Sequence, residues 1–373
     1  MRLPEDAARA LEKLESAGWE SYAVGGCVRD SLLGIEPHDW DLCTAAPPET
    51  MKKVFAGERV IETGLKHGTL TLLAPSGPLE ITTFRTESGY SDCRHPDRVS
   101  FVRDIHADLA RRDFTVGAMA WHPERGLFDP FEGQNDLKNR ILRAVGDPDT
   151  RFTEDALRIL RGVRFASELG FAIEGNTAAA MRRQLGRLSC VAAERVREEL
   201  TRLLCGRWAQ RTLLKYNDII GAALPELVPM FGCTQDNPHH CYDVWGHTVR
   251  AVGQVPSEPC LRWAMLLHDS GKPACKTVDE QGIGHFRGHP RASLALSRKL
   301  LPWLRFSSAD TERILLLVER HDTPLGDNEK LVRRSLSRIG EAQFRDLLAI
   351  KKGDAVRAPA ATMWRSCLRP KRC

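Results

Sequence analysis

The stretch from Gly25 to Gly34, GGCVRDSLLG, is followed after three intervening residues by HDWDLCT, His38 to Thr44. Two adjacent glycines let the backbone come close to a phosphate chain, and Arg29 supplies a guanidinium to neutralise it. Residues two apart on a β-strand point to the same face. Asp39 and Asp41 are therefore expected to converge, with Trp40 turned the other way into a core. Two converging carboxylates beside phosphate-binding backbone suit Mg²⁺, which takes oxygen ligands and shares them with substrate phosphates. A lone Asp-x-Asp is more simply a surface hairpin with two solvated carboxylates. The GGxVRDxLLG string in front of it argues against that account.

Up to about residue 145, strand-like runs (YAVGG, DLCT, LTLLA, LEITTF, AMAWH) alternate with helical stretches, an α+β pattern. From Thr153 to Leu224 the period becomes helical, in EDALRILRGVRFASELG, NTAAAMRRQLGRL and AAERVREELTRLLCG. Pro, Gly and His cluster between Pro225 and Asp243 and mark a boundary. A second helical region with its own His and Asp pattern follows. The expected organisation is an α+β head with a mixed sheet over 1–145, an all-α neck over 146–225, an all-α domain over 226–354, and an atypical tail over 355–373.

A chain of 373 residues has room for two or three such domains. The net charge of +5 permits an acidic partner such as RNA without requiring one. The N-terminal run reads as an amphipathic helix and lacks the apolar core of a signal peptide. No apolar stretch is long enough to span a membrane. The 11 cysteines contain no CxxC pair, which suggests reduced thiols in a cytoplasmic protein.

The GGxVRDxLLG and DxD residues resemble the nucleotidyltransferase superfamily, in particular the class II tRNA nucleotidyltransferases (CCA-adding enzymes) and bacterial poly(A) polymerases. The resemblance makes Asp39 and Asp41 the catalytic Mg²⁺ ligands, and Gly25, Gly26 and Arg29 part of the nucleotide site. ARRDFTVGAMAW, from Ala110 to Trp121, resembles the family's RRDFTxNA motif. It implies that Arg111 and Arg112 contact nucleotide phosphates and that Asp113 completes or supports the carboxylate cluster. A helix N-terminus capped by Asp113 is the residue-level alternative. Gly117 departs from the family's usual Asn, at a cost of about 1 kcal/mol if the position is helical.

In TEDALRILRGVRF, Thr153 is expected to cap a helix with Glu154 and Asp155 in its first turn. Asp155, Arg158, Arg161 and Arg164 then recur along one face. An exposed ion pair is the ordinary account of such spacing. The segment resembles EDxxRxxR, which implies that Asp155 and Arg158 read the incoming base while Arg161 and Arg164 hold phosphates. An acceptor and a donor set complement the edges of cytosine and adenine and leave groups unpaired against guanine or uracil.

ETGLKHGTLTLL looks like the GxxHGT strand of CCA-adding enzymes, and the basic GRRF-type segment of poly(A) polymerases is missing. FRTESGYSDCRHPDRVSF, with Arg94, His95, Pro96 and Asp97, resembles the flexible loop of enzymes that add the terminal A. In AERVREELTRLL, Glu194, Arg195 and Glu199 resemble a neck motif that braces the nucleotide-binding helices. Further on, His247, His268-Asp269, His285, His289, His321-Asp322 and Asp354 resemble an HD domain. There His247, His268, Asp269 and Asp354 are the implied ligands of a second divalent metal, of the transition series that imidazole favours. Both a working and a vestigial HD site fit this pattern.

The resemblance implies template-independent addition of CCA to the 3′ end of tRNA from CTP and ATP, with Mg²⁺ as cofactor and pyrophosphate released. Other readings stay open: addition of only CC or only A, poly(A) polymerisation, or an HD-type phosphohydrolase whose head merely binds RNA. The sequence leaves the oligomeric state open.

Overall fold

The N-terminal amphipathic run forms α1 (Glu5–Ser16), which buries Ala7, Ala10, Leu11 and Leu14 along one face. In the computed structural model, residues 1–90, 98–236, 241–324 and 329–355 are described. The chain divides into two compact units. One comprises residues 1–162 and 171–190; the other comprises 163–170 and the chain from 191 onward. This division does not follow the regions expected from sequence. One boundary falls inside the helix Leu157–Leu169, because helical periodicity does not reveal which partner each turn packs against.

The first unit is built on a seven-stranded sheet. Its strands are β1 (Ser21–Val24), β2 (Asp41–Thr44), β3 (Val60–Ile61), β4 (Thr69–Ala74), β5 (Gly77–Thr83), β8 (Ala120–His122) and β9 (Gly126–Phe128), ordered β3-β4-β5-β2-β1-β8-β9. Only β2 and β5 run parallel; every other pairing in this sheet is antiparallel. A separate hairpin pairs β6 (Arg85–Ser88) with β7 (Arg98–Phe101). Helices α2 (Gly26–Leu32), α3 (Pro48–Val54), α4 (Ile105–Ala110), α5 (Gly133–Asn139) and α6 (Pro148–Glu154) follow these strands in turn. Tyr22, Val24, Cys43, Phe84, Ile105 and Leu109 form one buried cluster between sheet and α4. A short parallel pair, β10 (Ile141–Leu142) with β11 (Ala172–Ile173), interrupts the stretch read as wholly helical. Two-residue strands held by distant backbone leave no periodic trace in sequence.

The helix Leu157–Leu169 is α7, followed by α8 (Gly175–Arg183) and α9 (Ala193–Cys205). The second unit continues with α10 (Ala209–Lys215), α11 (Asn217–Ala223), α12 (Val244–Gln254), α13 (Pro259–Leu267) and α14 (Lys272–Cys275). After a hairpin of β12 (Thr277–Val278) and β13 (Gly284–His285) come α15 (His289–Trp303), α16 (Ser308–Arg320), α17 (Glu329–Ile339) and α18 (Glu341–Asp354). Every residue of α13 from Cys260 to Leu267 is buried. A helix buried all round belongs at the centre of a bundle, and α13, apolar but for Arg262, packs against α9, α12, α16 and α18.

Candidate active site and metal centre

Asp41 opens β2 and is paired in parallel register with Glu80 of β5. Residues paired this way present their side chains to the same face. Glu80 is exposed while its neighbours Leu79 and Ile81 are buried on the other face. Burial raises the pKa of Asp41, the charges of Glu80 and Asp39 raise it further, and Arg112 partly offsets them. Three carboxylates therefore act on one another with one guanidinium nearby. Asp39 is exposed and precedes the strand instead of lying on it, and Trp40 is half-buried, not a core residue. The chain straightens into β2 only at Asp41, where pairing with β1 and β5 begins.

Gly25 is confined on two counts. Its backbone sits at φ 80°, ψ −127°, where side chains are strained. A Cβ there would also lie 2.9 Å from Nη1 of Arg112. The Nε of Arg112 is buried and makes no hydrogen bond within the chain. Its Nη2 lies 3.5 Å from Asp108. Arg111 is more firmly held: it donates to Asp108 Oδ1 from Nε at 3.0 Å and to Glu87 from Nη1 at 3.0 Å. Of the two arginines, Arg112 is the one directed to the carboxylates. Arg29 donates to its neighbour Asp30 at 2.8 Å.

Asp113 does not cap a helix N-terminus. It follows the C-terminal end of α4, whose N-cap is Asp104. Its Oδ1 accepts from the Phe114 amide and its Oδ2 accepts from Arg161 Nε at 2.6 Å. Burial opposes ionisation, but the Arg161 guanidinium outweighs it and holds the Asp113 carboxyl down at about 2. A depressed carboxylate pKa stabilises the fold above the unfolded value near 4, and that stability is lost as pH falls toward 2. Asp113→Asn is therefore expected to cost about 1–2 kcal/mol at pH 7, allowing for the part-exposed Arg161. The gap to wild type in urea melts should stay constant from pH 8 to 5 and narrow below about pH 4. A gap unchanged at pH 3 would exclude the charge pair as its cause. Gly117 ends a 3₁₀ turn, Thr115–Gly117, and a Cβ there would meet only Asp113 Oδ1 at 3.9 Å. An Asn side chain would begin without a clash.

The EDALRILR segment is broken where sequence predicts one helix. Asp147, not Thr153, caps α6; Thr153 lies in that helix's last turn. Asp155 takes extended backbone between α6 and α7, so it does not share a helix face with the arginines. Its Oδ1 accepts from the Leu157 amide at 3.0 Å. Arg158 reaches back across the break to Glu154 at 2.6 Å and to the carbonyls of Arg151 and Arg111. Arg164 is 2% exposed and donates to Glu199 Oε2 at 2.5 Å and to Glu168 at 2.8 Å, so its guanidinium is engaged within the fold. Glu199 thereby braces α9 against the end of α7. The segment 91–97, which contains Arg94, His95, Pro96 and Asp97, lies outside the described residues. Gly68 sits at φ 83° with Phe101 so close that a Cβ would lie 2.6 Å from its ring.

In the second unit, α13 delivers His268 and Asp269 into the interior, where α12 adds His247 and α18 adds Asp354. His268 Nε2 lies 3.2 Å from Asp269 and 3.1 Å from Asp354; His247 Nε2 lies 2.9 Å from Asp354. Single ligand atoms from all four side chains fall within 4.8 Å of one another, a spacing that one cation can span. Burial disfavours charge on His268, yet Asp269 and Asp354 outweigh it and raise its pKa to about 10. The Nε2 proton thus sits where a bound cation would. Gly353 makes the approach of α18 feasible, since a Cβ there would strike Val255 Cγ1 at 2.6 Å. Sequence reading passed over Glu80, Asp108 and Gly353. An alternating strand pattern around Glu80 was available as a signal; the others are defined only by their partners.

Carboxylates on two adjacent inner strands of a mixed sheet, backed by a glycine turn and a basic segment, define a nucleotidyltransferase head of the polymerase type. Residues 21–143 match the Poly A polymerase head domain, and residues 170–229 match a probable RNA and SrmB-binding site of polymerase A. A CCA-adding enzyme of Lactobacillus delbrueckii subsp. bulgaricus is 47% identical over 223 residues, 60% of this chain and 55% of that protein. One from Levilactobacillus brevis is 46% identical over 272 residues, 72% of this chain and 66% of that protein. The crystal structure of Bacillus stearothermophilus CCA-adding enzyme in complex with CTP superposes with a TM-score of 0.72 at 30% identity, covering 98% of this chain and 82% of that one. The chain belongs to the CCA-adding enzymes of the nucleotidyltransferase and poly(A) polymerase superfamily. It spans about half the length of the first of the curated relatives it matches.

Proposed function

We propose that this chain adds CCA to the 3′ end of tRNA without a template, from CTP and ATP, releasing pyrophosphate. The observation that carries the reading is the Asp41–Glu80 register beside Asp39 and Arg112, in a chain aligned over 98% of its length with a CTP-bound CCA-adding enzyme. An all-oxygen donor set whose negative charges raise the pKa of Asp41 fits Mg²⁺. Asp39, Asp41 and Glu80 would hold it. When bound, Mg²⁺ lowers the pKa of the terminal 3′-hydroxyl and steadies the triphosphate leaving group. Arg112 would grip the triphosphate with its unsatisfied Nε, and the missing side chain of Gly25 leaves it room. Arg111, Asp113 and Arg161 would hold the segment in place. The acceptor stem of tRNA would be recognised by shape and backbone, as A-form grooves hide base identity. No helix among the described residues is long and apolar enough to cross a membrane. A cytoplasmic setting, where tRNA is found, accords with this function.

Asp155 and Arg158 would select the base. Arg158→Ala is expected to raise misincorporation of UTP and GTP relative to CTP and ATP by about tenfold or more, from loss of one charged hydrogen-bonding partner. The check is addition of each labelled nucleotide to transcripts ending before CCA and ending in CC. Unchanged selectivity with lowered stability would reduce Arg158 to its bonds with Glu154 and the two carbonyls. The same assay separates full CCA addition from addition of CC or A alone.

The His247, His268, Asp269 and Asp354 cluster supports a second reading for the other unit: an HD-type site for a divalent transition metal acting on phosphate esters.

A further inference from the structure

Asp108, on α4, is the carboxylate that Arg111 and Arg112 share, and it is 0% exposed. Its Oδ1 accepts three hydrogen bonds: from the Arg85 amide at 3.2 Å, Arg111 Nε at 3.0 Å and Arg111 Nη2 at 2.9 Å. Its Oδ2 accepts from Arg112 Nη2 at 3.5 Å. Burial opposes charge on Asp108, but the two guanidiniums outweigh it and hold the carboxyl below its usual range.

Arg112 has no other ion-pair partner among the described residues. Its guanidinium is held by one corner. Nη2 meets Asp108, Nη1 lies against Gly25, and Nε is buried without a hydrogen bond. Burial raises the pKa of the Cys43 thiol; Asp108 raises it further, while Arg112 and Arg111 lower it, so all three charges reach this point of β2. Cys43 stands two residues after Asp41, on the same face of the strand. Asp108 is thus set close under the face that carries the Asp41 carboxylate.

We infer that Asp108 is a positioning residue for Arg112: Arg111 and the Arg85 amide lock its Oδ1, and its Oδ2 then holds the Arg112 guanidinium toward Gly25 and the carboxylates. The inference rests on the proposed nucleotide addition for the identity of the ligand, the triphosphate of CTP or ATP. It goes further in dividing the work of the two arginines. Arg111 anchors Asp108, and Arg112 is the arm that meets phosphate. A guanidinium already fixed at one end loses less freedom when it grips an anion. The negative charge of Asp108 is required for this. In Asp108→Asn the three donors at Oδ1 claim the amide oxygen, and the amide nitrogen then faces Arg112, donor against donor.

The test titrates the full chain with inorganic tripolyphosphate and Mg²⁺ by calorimetry, and measures kcat and KM for CTP on a transcript lacking CCA. Asp108→Asn is expected to weaken tripolyphosphate binding and to raise the KM for CTP by about tenfold, from loss of one charge-assisted contact. Its kcat should stay within about threefold of wild type and its KM for the transcript should be unchanged. The deciding comparison is the double variant. Asp108→Asn added to Arg112→Ala should weaken tripolyphosphate binding by no more than about twofold beyond Arg112→Ala alone, because Asp108 acts through that side chain. Losses that multiply in the double variant would overturn the inference, as would a folded Asp108→Asn with wild-type affinity for tripolyphosphate. If Asp108→Asn fails to fold, Asp108→Asn combined with Arg111→Met, which also removes the stranded cation, carries the same expectation. A chain that shows this pattern with tripolyphosphate yet adds no nucleotide to tRNA would uphold the role of Asp108 and overturn the CCA-adding reading instead.

Discussion

Asp41→Asn is expected to reduce nucleotide addition by ~10³-fold or more, because the metal-held negative charge accounts for several kcal/mol of transition-state stabilisation. The same substitution should leave the metal-free fold intact and raise its thermal midpoint. Burial and the charges of Glu80 and Asp39 push the Asp41 pKa up. A carboxylate whose folded pKa exceeds its unfolded value weakens the fold once ionised, and that weakening disappears on acidification through the folded pKa. The advantage of the variant should thus be present at pH 7 and shrink as pH falls. Glu80→Gln should also lower addition, as the register pairs it with Asp41. Labelled CTP incorporation into a transcript lacking CCA, with parallel melts in chelator, reads both effects. Addition at the wild-type rate in Asp41→Asn would remove the catalytic centre from this face of the sheet.

Arg164→Ala is expected to destabilise the second unit by about 3–5 kcal/mol, because it strands a carboxylate that is largely out of water. Arg164 and Glu199 are 2% and 8% exposed, and their contact is 2.5 Å. Glu168 and the ring of Phe165, whose centroid is 4.0 Å from the guanidinium carbon, also lie against Arg164. Replacing both partners by Met and Leu should recover most of the loss, since well-packed apolar residues often match a buried ion pair. Urea denaturation of the single and double variants measures this. The KM for CTP should stay near wild type in Arg164→Ala wherever that variant is folded. A tenfold rise in that KM without a fall in stability would restore Arg164 to the phosphate-binding role that its motif suggests.

The α+β head, the helical remainder and the residue types of both sites were legible in the sequence. GGCVRD marks a turn by local chemistry alone, since a glycine at φ 80° needs no distant partner. The helical stretches announce themselves by period, and His268-Asp269 by residue type. Sequence could not assign partners. Periodicity put Asp155 on a face with three arginines, whereas a helix break at Asp155 gives Arg158 to Glu154, Arg161 to Asp113 and Arg164 to Glu199. Glu80, 39 positions after Asp41 in the chain, joins it only because β5 runs parallel to β2. His289 and His321 meet Asp269 only because α15 begins and α16 ends beside the C-terminal end of α13. Residue chemistry and local backbone preference are properties of short segments, so the sequence alone determines them. Which charge neutralises which, and which carboxylate two groups share, follow from long-range packing, and only the tertiary structure decides them.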